Sequence, residues 1–192
     1  MIKRIAILFL AAATSWVAAT PMAAADDKFL ESMSQQLRFR EAQSYKYKAS
    51  QRDISVGVEV FGKKVQRRII GNRTGSFVTL DVAITNDTQI RVHLNDIYVT
   101  SGGKIVRQED LHEVVRKIDP GGGGKGNLHM SILRMNLFGK SLQNGVIEPG
   151  ETVQGIVFIR KKHIGKKAEL HVRIQNLKRL AYLEYKIPFS QK

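Results

Sequence analysis

The stretch SFVTLDVAITND, Ser76 to Asp87, decides the fold class. Val78, Leu80, Val82 and Ile84 alternate with Thr79, Asp81 and Thr85, a period of two that gives an extended chain one apolar and one polar face. Asn86-Asp87 then ends the run with turn chemistry. The same alternation recurs outward in both directions. ISVGVEV, Ile54 to Val60, sets Ile54, Val56, Val58 and Val60 against Ser55, Gly57 and Glu59, and Phe61-Gly62-Lys63-Lys64 reads as a turn into a second strand, VQRRII, completing a hairpin. Short strands are predicted near Ile90 to Leu94, Asp96 to Thr100 and Lys104 to Arg107, with SGGK as the turn before the last. Pro149-Gly150 predicts a turn, Thr152 to Ile159 a strand, and AELHVRIQNL and RLAYLEYKIPF supply two more. Seven or more strands separated by turn signals make an antiparallel β-sandwich.

Three stretches depart from this period. DDKFLESMSQQLRFREAQSYKY, from Asp26, has Leu30, Met33 and Leu37 at helical spacing and acids at its start, which suits the helix dipole. DLHEVVRKI fits helix and strand alike. NLHMSILRMNLFGKSLQNG places Leu128, Ile132 and Leu133 in helical register, with Gly145 past the end.

The beginning of the chain reads as a secretory signal peptide. Lys3 and Arg4 precede an apolar stretch, Ile5 to Val17, that is too short to span a bilayer, and Ala23-Ala24-Ala25 is a small-residue cleavage pattern before Asp26. No later stretch predicts a transmembrane anchor. The expected organisation is therefore a signal peptide over 1–25, a helical arm over 26–48 and one sandwich domain over 49–192, exported to the periplasm or beyond. The chain has no cysteine, so no disulfide, thiolate nucleophile or thiol lipid anchor enters the argument. Its net charge of +14 falls to +12 when Lys3 and Arg4 leave, and from Arg160 onward ten basic residues face only Glu169 and Glu184. Such asymmetry points to an anionic surface nearby.

SFVTLDVAITND, RVHLNDIYVTSGGKIV and GVIEPGETVQGIVFI, in that order, resemble a bacterial extracytoplasmic domain of unknown function with a telokin-like, immunoglobulin-type sandwich. The resemblance covers about Ile54 to Phe189, and Pro149-Gly150-Glu151-Thr152 with Gln154-Gly155 is its most specific part. It implies an all-β, immunoglobulin-like antiparallel sandwich, to which this chain adds a short N-terminal helix and an irregular, partly helical insertion. Many members are lipoproteins, whereas this chain lacks the cysteine. The resemblance implies no catalytic residues.

Motifs for catalysis fail on spacing. IDPGGGGKGNLH places Gly121 and Gly126 at P-loop separation, but Asn127 and Leu128 stand where lysine and a hydroxyl are needed. His112-Glu113 opens like a zinc-protease helix, yet Arg116 occupies the place of the second histidine. Gly139-Lys140-Ser141-Leu142-Gln143 breaks the serine-hydrolase elbow at Gln143. The sequence therefore predicts no cofactor, no metal and no catalytic set. Its candidate site is basic: Lys63, Lys64, Arg67 and Arg68 in one predicted hairpin, and Arg160, Lys161, Lys162, Lys166 and Lys167 around a second. If both emerge at one end of the sandwich they would attract phosphates or sulfates. Few aromatics accompany them, which disfavours nucleic acid. The expected function is a non-enzymatic periplasmic or secreted module that binds an envelope protein, an anionic polymer or lipid headgroups. The alternatives are an accessory or assembly subunit of an envelope complex, or a hydrolase with scattered acids.

Overall fold

The computed structural model describes residues 31, 35–71, 74–118, 127–178 and 181–190. The predicted signal peptide, Leu30 and Met33 of the predicted N-terminal helix, and the Gly121 to Gly126 loop lie outside the described residues. Two antiparallel sheets form a β-sandwich. The first has strand order β1-β2-β3-β7, made of β1 (Tyr47–Gln51), β2 (Ile54–Val60), β3 (Phe77–Asn86) and β7 (Thr152–Arg160). In the second, β4 (Val92–Ser101) pairs with β8 (Lys167–Asn176), and β8 with β9 (Ala181–Ser190). On the other side of β4 lie β5 (Lys104–Arg107) and β6 (Gly145–Ile147). The two short strands predicted at Ile90–Leu94 and Asp96–Thr100 are thus one strand, β4, with a register shift between Leu94 and Asp96. That one-residue irregularity keeps Leu94 and Ile97 both on the core side despite their odd separation.

The core between the sheets contains the residues predicted from alternation: Ile54, Val56 and Val58 of β2, Val78, Leu80, Val82 and Ile84 of β3, and Leu170, Val172 and Ile174 of β8. The sandwich is also closed along its sides. At one side Tyr47 Oη and Ser190 Oγ are 2.9 Å apart, and the Tyr185 hydroxyl donates to the Gln51 carbonyl at 2.9 Å. At the other, Gln108 bridges Ile159 and the Glu109 amide donates to the Phe158 carbonyl at 2.8 Å. Side-chain and backbone bonds of this kind occupy edge groups that would otherwise invite pairing with a second chain.

The outer face of the first sheet departs from the sequence reading. All ten residues of β3 are buried, including Thr79, Asp81 and Thr85, whose face was expected to be polar and opposite the core. Two covers account for this. The chain before β1, with a 3-10 turn at Ala42–Ser44, lies across β2 and β3. Three helices, α1 (Lys63–Ile70), α2 (Leu111–Lys117) and α3 (Asn127–Lys140), form a second hydrophobic core over Phe77, Ile156 and Phe158. The first cover, and the chain that leaves α3, lie directly on the backbone of the sheet at glycines. A Cβ on Gly57 would stand 2.4 Å from the Ala42 carbonyl oxygen, and one on Gly155 would stand 2.3 Å from the Leu142 amide nitrogen. The buried polar side chains are hydrogen-bonded, as burial requires: Thr79 to Thr74 at 2.6 Å, and Thr85 to the Ala42 amide at 3.2 Å and to Thr152 at 2.9 Å.

VQRRII is helix, not strand, and Lys63-Lys64 is its first turn rather than a hairpin turn. The sequence KKVQRRII carries polar and core-facing residues in doublets, so that Val65-Gln66 and Ile69-Ile70 recur at four-residue spacing while Lys63-Lys64 and Arg67-Arg68 fall opposite. β2 has no need of VQRRII as a partner, because β1 already pairs along its other edge. The ambiguous DLHEVVRKI is also helical: the Asp110 carboxylate accepts from the His112 amide at 2.7 Å as the N-cap, and Arg116 and Lys117 sit in the last turn. In the insertion, Leu133 and Leu137 of α3 are fully buried, whereas Gly145 belongs to β6 and not to the helix end. Leu37 of the predicted N-terminal helix lies in non-helical chain, half-buried against the second core.

Candidate binding groove

A groove of about 1290 Å³ opens beside α1, between that helix, the chain from Leu37 to Tyr47 and the end of β9 at Ser190. It sits where the two hydrophobic cores meet. Val60, Phe61 and Val65 line it and are only half-buried, Leu37 likewise, and Phe39 on its wall is 64% exposed. Among the described residues, seven basic ones line the groove, Arg38, Arg40, Lys46, Lys63, Lys64, Arg68 and Lys161, against the acids Glu41, Glu59 and Asp81.

The wall is held by a polar cluster on the outer face of the first sheet. Gln154 Nε2 donates to Asp81 Oδ1 at 3.0 Å and lies 2.9 Å from the Tyr45 hydroxyl, while Gln154 Oε1 accepts from the Arg40 amide at 3.2 Å. Arg40 pairs with Glu59, and its guanidinium lies 4.1 Å from the centre of the Tyr45 ring. Burial raises the Asp81 carboxyl above its ordinary pKa, partly offset by its bonds from Gln154 and Tyr45. Burial and the neighbouring Asp81 also raise the Tyr45 phenol, which therefore stays protonated as a donor. Of the three acids in the groove, Glu59 and Asp81 are thus committed to holding the wall.

Four of the nine basic residues predicted from sequence, Lys63, Lys64, Arg68 and Lys161, line this one groove. The other five do not. Arg67 is exposed on α1 but outside the groove. Arg160 pairs with Glu109, which raises its pKa, and lies over the Phe77 ring at 5.6 Å. Lys162 and Lys166 are exposed in the connection from β7 to β8 and Lys167 is exposed as the first residue of β8; that connection crosses from one sheet to the other and is not a hairpin. Sequence reading missed Arg38, Arg40 and Lys46, because they are spread singly along the predicted arm.

A second cation is used inside the fold. Lys140 at the end of α3 is buried, and its Nζ donates to the Ile69 carbonyl at 2.9 Å. Ile69 is in the last turn of α1, where carbonyls lack helical partners and a positive charge is favoured. Burial pushes the ammonium down to about 8 from 10.5. Because the folded value is the lower one, the unfolded chain binds more protons between these pH values and stability rises as pH passes through 8 towards 10. Burial raises the Tyr45 and Tyr185 phenols above 10, so their contribution is lost only at higher pH. The urea midpoint is therefore expected to rise between pH 7 and 9.5 in the parent and to stay flat in Lys140→Met; a flat profile in both would remove this role.

On the outer face of the second sheet His171 stacks on Tyr98 with ring centres 4.7 Å apart and is bracketed by Thr100, Glu169 and Glu184. Among the described residues no group of three histidine, aspartate or glutamate side chains is placed to hold a metal ion. A smaller cleft of about 430 Å³ near α2 includes Asp96, Glu109 and Asp110, but these pair with Arg107, pair with Arg160 and cap α2 respectively.

No family model and no curated protein matches the chain. Among solved structures, a FixG-related protein from Vibrio parahaemolyticus is similar at 11% identity, with 73% of this chain and 97% of that chain covered and a TM-score of 0.39. The structural genomics target SoR45 is similar at 13% identity, with 73% and 87% covered and a TM-score of 0.33. Likenesses this distant carry no argument about activity; the β-sandwich rests on the strand pairing itself.

Proposed function

We propose that the protein is a non-enzymatic binding module, exported to the periplasm or beyond, that holds an anionic envelope component in the groove beside α1. The observation that carries this is the convergence of Lys63, Lys64 and Arg68 from α1 with Lys161, the residue after β7, on one concave surface. Cations gathered around a cleft with low-dielectric walls focus the field and raise the local concentration of an anion. The signal-peptide pattern and the resemblance to telokin-like extracytoplasmic domains support the location and the binding role. The commitment of Glu59, Asp81, Glu109 and Asp110 to ion pairs, a buried hydrogen bond and a helix cap favours binding over acid-base chemistry. The reading as an assembly subunit draws on Met135 and Phe138, which are exposed at i and i+3 of α3.

The test compares two sets of glutamine substitutions on immobilised heparin. Changing Lys63, Lys64, Arg68 and Lys161 together is expected to lower the eluting salt clearly more than changing Lys162, Lys166 and Lys167. All seven side chains are exposed, so both variants should keep stability within about 1 kcal/mol of the parent. Equal shifts from the two sets would replace the groove with a diffuse basic surface, and no shift from either would remove the anionic partner.

A further inference from the structure

We infer that the ligand of this groove is an anionic amphiphile, a lipid with a phosphate or carboxylate head and an acyl chain. This rests on the reading of the groove as the binding site and names the chemistry it selects. A head bearing negative charge matches the exposed Lys63, Lys64, Arg68 and Lys161 on the rim. The floor has the opposite character. Val60, Phe61 and Val65 line it half-covered, and Phe39 and Leu37 add apolar surface from the wall. A charged polysaccharide would leave those side chains wet and unused. A folded protein partner would need a contact of about 800 Å² per side, which is ordinarily flat, whereas a concave cleft lined by apolar groups with a few polar anchors is the form of a small-molecule site. Its volume of about 1290 Å³ is ample for an alkyl chain together with its head group.

The amphiphile also fits the way the site is built. The groove marks the junction of the inter-sheet core, on which Val60 packs, with the core under the helices, on which Leu37, Phe61 and Val65 pack. An acyl chain laid there would continue both cores and cover apolar surface that the protein's own chain leaves half-exposed. Each methylene fully taken from water tightens binding roughly fourfold.

Calorimetric titration of the purified protein with inorganic phosphate and with hexyl, octyl and decyl phosphate, all below their micellar concentrations, tests this. Affinity is expected to rise at each step of chain length, by several-fold and at most about 15-fold per two methylenes. The variant with glutamine at Lys63, Lys64, Arg68 and Lys161 should bind every member at least tenfold more weakly. Phe39→Ser, at an exposed site that the fold does not need, should flatten the rise with chain length. Lys162→Gln with Lys166→Gln, outside the groove, should leave the series as in the parent. Alkyl phosphates that bind no tighter than inorganic phosphate would overturn the inference, while heparin retention dependent on the four cations would leave the binding module standing. Loss of both would overturn both. Tighter binding of an acidic amphipathic peptide than of decyl phosphate would reassign the groove to a protein. Binding to phosphatidylglycerol vesicles without binding of monomeric decyl phosphate would make it a membrane-surface contact.

Discussion

Gly57→Ala is expected to destabilise the protein by about 3 kcal/mol, the upper end of what overpacking usually costs. A Cβ there would lie 2.4 Å from the Ala42 carbonyl oxygen, 2.7 Å from Tyr45 Cγ and 2.8 Å from Tyr45 Cβ, so the clash is with backbone and ring base and not with a flexible tip. Gly57 is central in β2 and paired with both Lys48 and Ala83, which leaves the strand little room to move. The segment must therefore lift. Tyr45 would lose its buried position, Gln154 its partner at 2.9 Å, and the Ala42 amide its bond to Thr85. Because the same segment forms the groove wall through Leu37 to Tyr47, retention on heparin should fall with the melting temperature, and protease should cut near Arg38 to Lys46. An unchanged melting temperature would show that the cover is not seated on the sheet as described.

Asn86→Ala should cost a similar amount, about 3 kcal/mol, for a different reason: it strands buried polar groups instead of overfilling space. Asn86 has no exposed surface. Its Nδ2 is 2.9 Å from the Ile90 carbonyl and 3.1 Å from those of Ile147 and Glu148, and its Oδ1 accepts from the Thr88 amide at 3.2 Å and the Thr88 hydroxyl at 2.7 Å. One side chain thus ties the end of β3 to the loop before β4 and to the end of β6. Asn86→Asp keeps the shape but turns a donor into an acceptor facing carbonyl oxygens, so it should be at least as damaging near neutral pH. If Asn86→Ala unfolded within about 1 kcal/mol of the parent in urea, the network would not be the anchor claimed.

The strands were legible in sequence because β3, β8 and β9 each carry apolar residues at every second position, which is a local signal. The same local rule misread Thr79, Asp81 and Thr85. Polar residues on a strand indicate hydrogen bonding, but only the chain that covers them decides whether water or protein supplies it. For Asp81 the donor is Gln154, 73 positions away, and no pattern within β3 announces that. KKVQRRII misled for another reason. Its last two apolar residues sit side by side at the end of a run that a strand template also accepts, although its doublets recur every four residues. The groove was the least legible part. Its basic residues could be counted, but whether Lys63 and Lys161 share a surface depends on how β7 passes β3, and the apolar floor consists of residues that look like ordinary core.

The contact between β1 and β9 has a consequence for biogenesis. Tyr47 and Ser190, 143 positions apart, meet at the groove, which also takes Lys161 from the turn after β7 and its wall from the segment leading into β1. Loop closure over such a span is late in folding. A nascent chain that has emerged only as far as α1 carries Lys63, Lys64 and Arg68 but lacks Lys161 and Ser190, which come with β7 and β9. The groove is therefore assembled with the closing of the sandwich and not by α1 alone.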